Sequence, residues 1–165
     1  MAEPPAELHP FAAAWQARDA REWSDALAPD VVVHSPLLEK PFVGREAVGE
    51  LYAVLFEQFG AVEIGPTFTS EADSTFFWRG VVDGDVVEGV DLVRLNADGQ
   101  VAEIRVFMRP VLGLGTFAAA LAPAMARRDG RTAERVVRLA TRPVRPLLRA
   151  VDAAATWIAN RARDA

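Results

Sequence analysis

Apolar residues recur at helical intervals over the first third of the chain and at intervals of two over its middle. Leu8, Phe11, Ala12 and Trp15 share one helical face. Trp23, Ala26 and Leu27 resume it after Arg18-Asp19-Ala20-Arg21, so the pattern predicts a helix, a bend and a short second helix. Pro29-Asp30 reads as its stop and Val31-Val32-Val33 as the start of a strand. Past Gly44, residues Val48, Leu51, Tyr52, Leu55 and Phe59 keep the spacing of a single buried face, and Gly60 closes this third helix. Strands are expected at 62–70, 73–82, 86–96 and 100–109, the last three joined by the hairpin signals Asp83-Gly84 and Asp98-Gly99. Helices followed by an antiparallel meander predict an α+β fold, with three helices on one face of a curled sheet and a hollow between the layers.

The pattern changes again after Pro110. Leu114, Phe117, Ala118, Leu121 and Met125 fall on one helical face, and after Pro146 so do Leu147, Leu148, Val151, Ala155 and Ile158. Arg128, Arg131, Arg135, Arg138, Arg142, Arg145 and Arg149 recur every three or four residues, which aligns them along one side of a continuous helix that Pro143 and Pro146 must bend. The division expected is an α+β domain over residues 1–112 and a basic amphipathic helical tail over 113–165. Residues 1–112 hold 8 basic against 19 acidic side chains, and residues 113–165 hold 10 against 4. The tail is read either as a solvated basic face covering the acidic body or a dimer mate, or as an anchor lying on an anionic membrane surface. No nucleic-acid partner is expected, because Trp157 is the tail's only aromatic beyond Phe117 and the acidic body repels phosphate.

At 165 residues the chain is long enough for one domain and an appendage. It has no cysteine and only two histidines, which excludes thiol catalysis and thiolate-held metals and disfavours a histidine metal site. No dinucleotide, phosphate-loop, zinc-protease or nucleophile-elbow motif occurs, so no cofactor is expected. The opening MAEPPAELHP lacks the basic and apolar regions of a secretory signal, and the expected location is cytoplasmic. The uncharged run from Val111 to Ala126 is 16 residues and contains two glycines and a proline, too short and interrupted for a membrane span.

Strand alternation isolates one residue. Over 86–96 the apolar phase is Val87, Gly89, Asp91, Val93 and Leu95; over 100–109 it is Ala102, Ile104, Val106 and Met108, while Val101 falls in the phase of Glu103, Arg105 and Arg109. Asp91 is therefore a carboxylate on an inward face, where an unpartnered charge costs several kcal/mol. Either it accepts hydrogen bonds from a loop or a tryptophan indole and fixes the fold, or it lines a ligand pocket with a raised pKa and exchanges a proton there. Candidate pocket walls are Phe11, Trp15, Ser35, Tyr52, Phe56, Phe76, Trp78, Val106 and Met108. His34 and Ser35 point to opposite faces of their strand, which works against a Ser/His/Asp triad.

The element order, the segment HSPLLEKPFVG from His34 to Gly44 and the segment GVDLVRLNADGQVAEIR from Gly89 to Arg105 resemble the nuclear-transport-factor-2-like superfamily over about residues 8–110. That group includes ketosteroid isomerase, limonene-epoxide hydrolase and SnoaL-like polyketide cyclases. The resemblance implies a cone-shaped fold, a deep pocket for a small apolar ligand and a homodimer through the outer sheet face. In ketosteroid isomerase a helix tyrosine and a protonated aspartate form the oxyanion hole, and a second aspartate before a proline is the base. By resemblance Asp91 stands at the oxyanion aspartate, Phe11 at the tyrosine and Ser35, before Pro36, at the base. Gly89 and Val106 stand where limonene-epoxide hydrolase has an arginine and an aspartate. The reading is thus a binder of a steroid-, polyketide- or terpenoid-like molecule with at most weak isomerase or cyclase chemistry at Asp91. The alternative is a membrane- or partner-docking protein acting through its tail.

Overall fold

The computed structural model describes residues 9–70 and 73–161; Leu8 lies outside them. Helix α1 spans Pro10–Ala17 and α2 Ala20–Asp25. The His9 ring nitrogen accepts from the Phe11 amide at 3.2 Å, and Asp19 accepts from the amides of Arg21 and Glu22 at 3.0 and 2.9 Å, so both helices start on side-chain caps. The bend between them is Arg18 in the left-handed region, at φ 60°.

Next come β1 (Leu27–His34), β2 (Phe42–Val43), α3 (Arg45–Gln58), β3 (Glu63–Thr69), β4 (Asp73–Val82), β5 (Asp85–Leu95) and β6 (Val101–Arg109). The strands form one sheet in the order β2-β1-β6-β5-β4-β3. β3 to β6 make the expected antiparallel meander, while β1 joins it parallel to β6. β1 begins at Leu27, four residues before the position read from Val31. Pro29 and Asp30 are exposed where its register against β6 slips, and a bulge is a place where a strand tolerates a residue without an amide hydrogen. A second slip, between Arg94 and Leu95, turns Val101 inward, and this residue, grouped by strict alternation with the charged phase, is fully buried.

The inner sheet face carries Phe76, Trp78, Val82, Val87, Val93 and Ile104, against which α1, α2 and α3 lay Phe11, Trp15, Trp23, Val48, Leu51 and Tyr52. The β4–β5 hairpin turns on Asp83 at φ 48° and Gly84 at φ 80°, the left-handed pair that a tight two-residue turn requires.

After β6 the chain makes α4 (Val111–Ala126), a 3₁₀ turn (Arg127–Asp129), α5 (Arg131–Thr141) and α6 (Val144–Arg161). The division read at residue 112 falls in the first turn of α4, and α4 belongs to the core, with Thr116, Phe117 and Leu121 all buried. The seven arginines do not form one stripe, because Gly130 at φ 112° and the turn at 142–143 break the helix. Arg128 pairs with Glu50 of α3 at 2.7 Å. Arg145 and Arg149 grip Asp85, at the start of β5, at 2.7 and 2.9 Å, and the Thr116 hydroxyl donates to the same carboxylate at 2.7 Å. The Arg145 hydrogen bond holds the Asp85 carboxyl well below the usual carboxylate range, against the opposing effect of burial. This depressed pKa stabilises the folded state above the ordinary carboxylate range and the stabilisation is lost as pH falls through it. Leu148 of α6 seats in the notch at Gly115, where a Cβ would lie 2.0 Å from its methyl carbon.

Candidate functional site

Asp91 sits mid-strand in β5, paired with Phe76 on one side and Val106 on the other, and is buried. The Trp78 indole nitrogen donates to one of its carboxylate oxygens at 2.8 Å. Among the described residues no donor reaches the other oxygen. This arrangement depends on Gly89, two residues back on the same face, since a Cβ there would meet the Trp78 ring at 2.3 Å. Glycine thus lets the indole lie over β5 and aim its N–H at Asp91.

Beside them is a cavity of about 40 Å³ lined by Trp15, Ser35, Tyr52, Trp78, Asp91, Val106 and Met108, seven of the residues named from sequence. Three others, Phe11, Phe56 and Phe76, are elsewhere in the core. Phe11 is packed behind the cavity among Trp23, Tyr52 and Phe76, and Phe56 leans on Trp15 and Trp23. Sequence reasoning missed Val33, Leu51, Leu55 and Phe59, which lie on faces already recognised as apolar. It also missed Phe117 and Leu121 of α4, which close the remaining side. Helical periodicity marked that face of α4 as apolar but carried no information about what it would cover.

Burial pushes the Asp91 carboxyl up to about 7, against the lowering effect of the Trp78 hydrogen bond. Tyr52 stacks on Trp23 with ring centroids 3.7 Å apart, and burial, then the charge of Asp91, raises its phenol well above the ordinary tyrosine range. The inward surface therefore holds two titratable groups, not the single one read from strand alternation. The tyrosine comes from α3 rather than from the position of Phe11 in α1. Below about pH 7 both groups are protonated and can act as hydrogen-bond donors toward the otherwise apolar hollow.

His34 points the other way. Its Nε2 lies 3.0 Å from Glu103, which also binds Arg94 at 2.8 Å and Arg105 at 2.7 Å on the outer sheet face. Ser35 is inward, where its hydroxyl oxygen accepts from the Leu37 amide at 3.2 Å, so the two cannot act together. No group of three or more metal-ligating side chains comes together among the described residues.

The family model of the SnoaL-like domain matches residues 8–104, more than half of the chain. The chain belongs to the SnoaL-like family, within the nuclear-transport-factor-2-like superfamily. Comparison with curated proteins gives no match. Among solved structures, this SnoaL-like protein is similar to a steroid delta-isomerase from Pseudomonas aeruginosa, with 25% identity, TM-score 0.61, and coverage of 77% of this chain and 95% of that one. It is also similar to an uncharacterised bacterial protein with a cystatin-like fold from Silicibacter pomeroyi, at 25% identity and TM-score 0.64, covering 70% and 85%. A Mycobacterium tuberculosis protein in complex with estradiol-17β-hemisuccinate shares the fold at 23% identity and TM-score 0.51, covering 61% and 93%. The SnoaL-like cone accounts for the curved sheet, the long α3 and the hollow between them; α4, α5 and α6 lie beyond the matched segment.

Proposed function

We propose that this SnoaL-like protein binds a small apolar molecule bearing a carbonyl group, of steroid-, polyketide- or terpenoid-like character, in the hollow beside Asp91. The observation that carries the reading is a buried carboxyl group, pushed up to about 7, sharing an otherwise apolar cavity with a protonated phenol. Two such donors hydrogen-bond a carbonyl oxygen and stabilise negative charge that develops on it. The likeness to a steroid delta-isomerase supports the same ligand class. Ser35 stands where that chemistry uses a carboxylate base, so the site polarises a carbonyl without a strong second group to remove a proton. One positioned acid contributes about 10²–10⁴-fold. Binding is accordingly the primary function, and slow isomerisation of a substrate already disposed to it the secondary one.

Pockets for drug-sized ligands span about 300–1,000 Å³, and a 40 Å³ hollow has room for little more than water. Phe117 and Leu121 occupy the rest, so the ligand enters by displacing them. Titration of tryptophan fluorescence with an enone steroid and with its deoxygenated analogue tests the reading. The enone is expected to bind about tenfold tighter, the worth of one well-placed hydrogen bond, and Asp91→Leu should erase the difference. Equal affinity for the two ligands would refute the role of Asp91. Conversion of a β,γ-unsaturated ketone to its conjugated isomer, followed by absorbance, separates an isomerase from a binder.

A second copy of the chain is the proposed occupant of the outer sheet face. Phe68, Phe77, Val81, Val86 and Phe107 are exposed there, and Phe77 and Phe107 line a groove of about 480 Å³. Glu88 lies 4.0 Å from Arg79 and 3.3 Å from Arg109, so the face presents both charge signs, as a self-complementary two-fold contact needs. Phe107→Arg is expected to convert a dimer to a monomer in light scattering; a monomeric parent protein would exclude the interface.

A further inference from the structure

Helix α6 leaves the body halfway along its length. Its first turns pack on α4 through Leu148 and are tied to Asp85 by Arg145 and Arg149, but residues 149–161 are exposed throughout. A helix segment of that length gains little from propensity alone in water and usually owes its stability to a covered apolar face. This one has such a face, uncovered: Leu147, Val151 and Ile158 follow one another along one side with Trp157 at its edge. On α5, Leu139 and Val136 are equally bare, and all six side chains are between 57% and 70% exposed.

The charges beside these residues are unevenly used. Arg128, Arg145 and Arg149 bind acids of the body. On α5, Arg138 pairs with Glu134, while Arg131, Arg135 and Arg142 have no carboxylate partner among the described residues. Arg131, Arg135 and Arg138 recur at four- and three-residue intervals and so share one side of α5, next to Leu139, with Arg142 following at its C-cap.

We propose that α5 and the free half of α6 dock on an anionic lipid bilayer surface, with the α5 arginines at the phosphates and the Leu147–Val151–Ile158 stripe and Trp157 inserted shallowly among the acyl chains. An acidic protein surface would satisfy the guanidinium groups and leave the apolar stripe in water, and a greasy protein groove would do the reverse. An anionic bilayer supplies both partners side by side, and a tryptophan at the edge of an apolar face suits its interface. No helix of the described residues is long and apolar enough to cross a membrane, so the contact lies in the surface plane. Both docking helices pack on α4, the helix whose Phe117 and Leu121 close the cavity.

The test uses the full chain with vesicles of phosphatidylcholine alone and with about 30% phosphatidylserine added. Binding in sedimentation is expected to be about tenfold or more stronger to the anionic vesicles and to weaken at high salt, with an emission blue shift that Trp157→Phe removes. Val151→Asp with Ile158→Asp should lower binding about tenfold or more without changing the melting temperature, since neither side chain touches the body. Failure to sediment with either vesicle, or equal binding to both, would overturn the proposal. So would a dimer that the double substitution dissociates, because a second copy would then be the covering partner.

Discussion

Asp91→Asn should flatten the decline in stability expected of the parent protein as pH rises from about 4 to 8. The sign follows from linkage. In the unfolded chain the carboxyl ionises near its ordinary value of 3.8, whereas burial holds it protonated in the folded state up to about 7. Between those values the folded state carries the extra proton, so stability falls with rising pH, and the loss is complete about a unit above the upper one. Three pKa units correspond to about 4 kcal/mol, or roughly 8–16 °C in melting temperature for a chain of this size. Asparagine keeps an oxygen to accept from Trp78 and carries no charge. The variant should therefore melt well above the parent at pH 8, with the gap closing toward pH 4. Denaturation curves of both proteins across that range check this; parallel profiles would mean that the Asp91 carboxyl ionises like a solvated one.

The second large effect concerns the helix that closes the cone. Phe117→Ala is expected to cost about 3–5 kcal/mol and to leave a dry hollow on the order of 100 Å³, a size class that takes up benzene-like guests. Phe117 packs on Phe59 with ring centroids 5.5 Å apart and lines the cavity with Trp78 and Asp91. Chemical denaturation reads the loss, and restabilisation of the variant by saturating aromatic guest reads the space. A cost below about 1 kcal/mol with no response to guest would show that α4 does not seat in the cone.

These two residues also mark what one-dimensional pattern can and cannot carry. Asp91 was legible because β5 alternates cleanly, so one acid among Val87, Gly89 and Val93 stands out as an inward carboxylate. The β4–β5 hairpin was legible for the same reason, with Asp83-Gly84 supplying the turn. Val101 and the start of β1 were misread where bulges interrupt the period of two, since alternation cannot register an extra residue. The arginine stripe was misread because Gly130 breaks a spacing that assumes an unbroken helix. The placement of Tyr52 against Asp91, the seating of Phe117 over the cavity and the grip of Arg145 and Arg149 on Asp85 join segments distant in sequence, by 60 and 64 residues in the last case. No local signal records such pairings. Periodicity identified the faces, and tertiary packing decided which faces meet.

The proposed roles fall on distinct elements of the fold. As proposed, the inner face would offer hydrogen-bond donors to an apolar ligand, the outer face phenylalanines and paired charges to a second copy, and the helices beyond α4 arginines and an apolar stripe to lipid. Asp85 joins the third region to the first, because the same carboxylate holds Thr116 of α4 and two arginines of α6.

All of the chemistry proposed for the hollow requires that one acid keep its proton near neutrality. Carbon NMR of protein labelled at the aspartate carboxyls, with the Asp91 resonance assigned by its absence in Asp91→Asn, measures this directly. The account predicts a single buried carboxyl titrating near 7. A midpoint near 3.8, with the rest of the spectrum showing an intact fold, would contradict it.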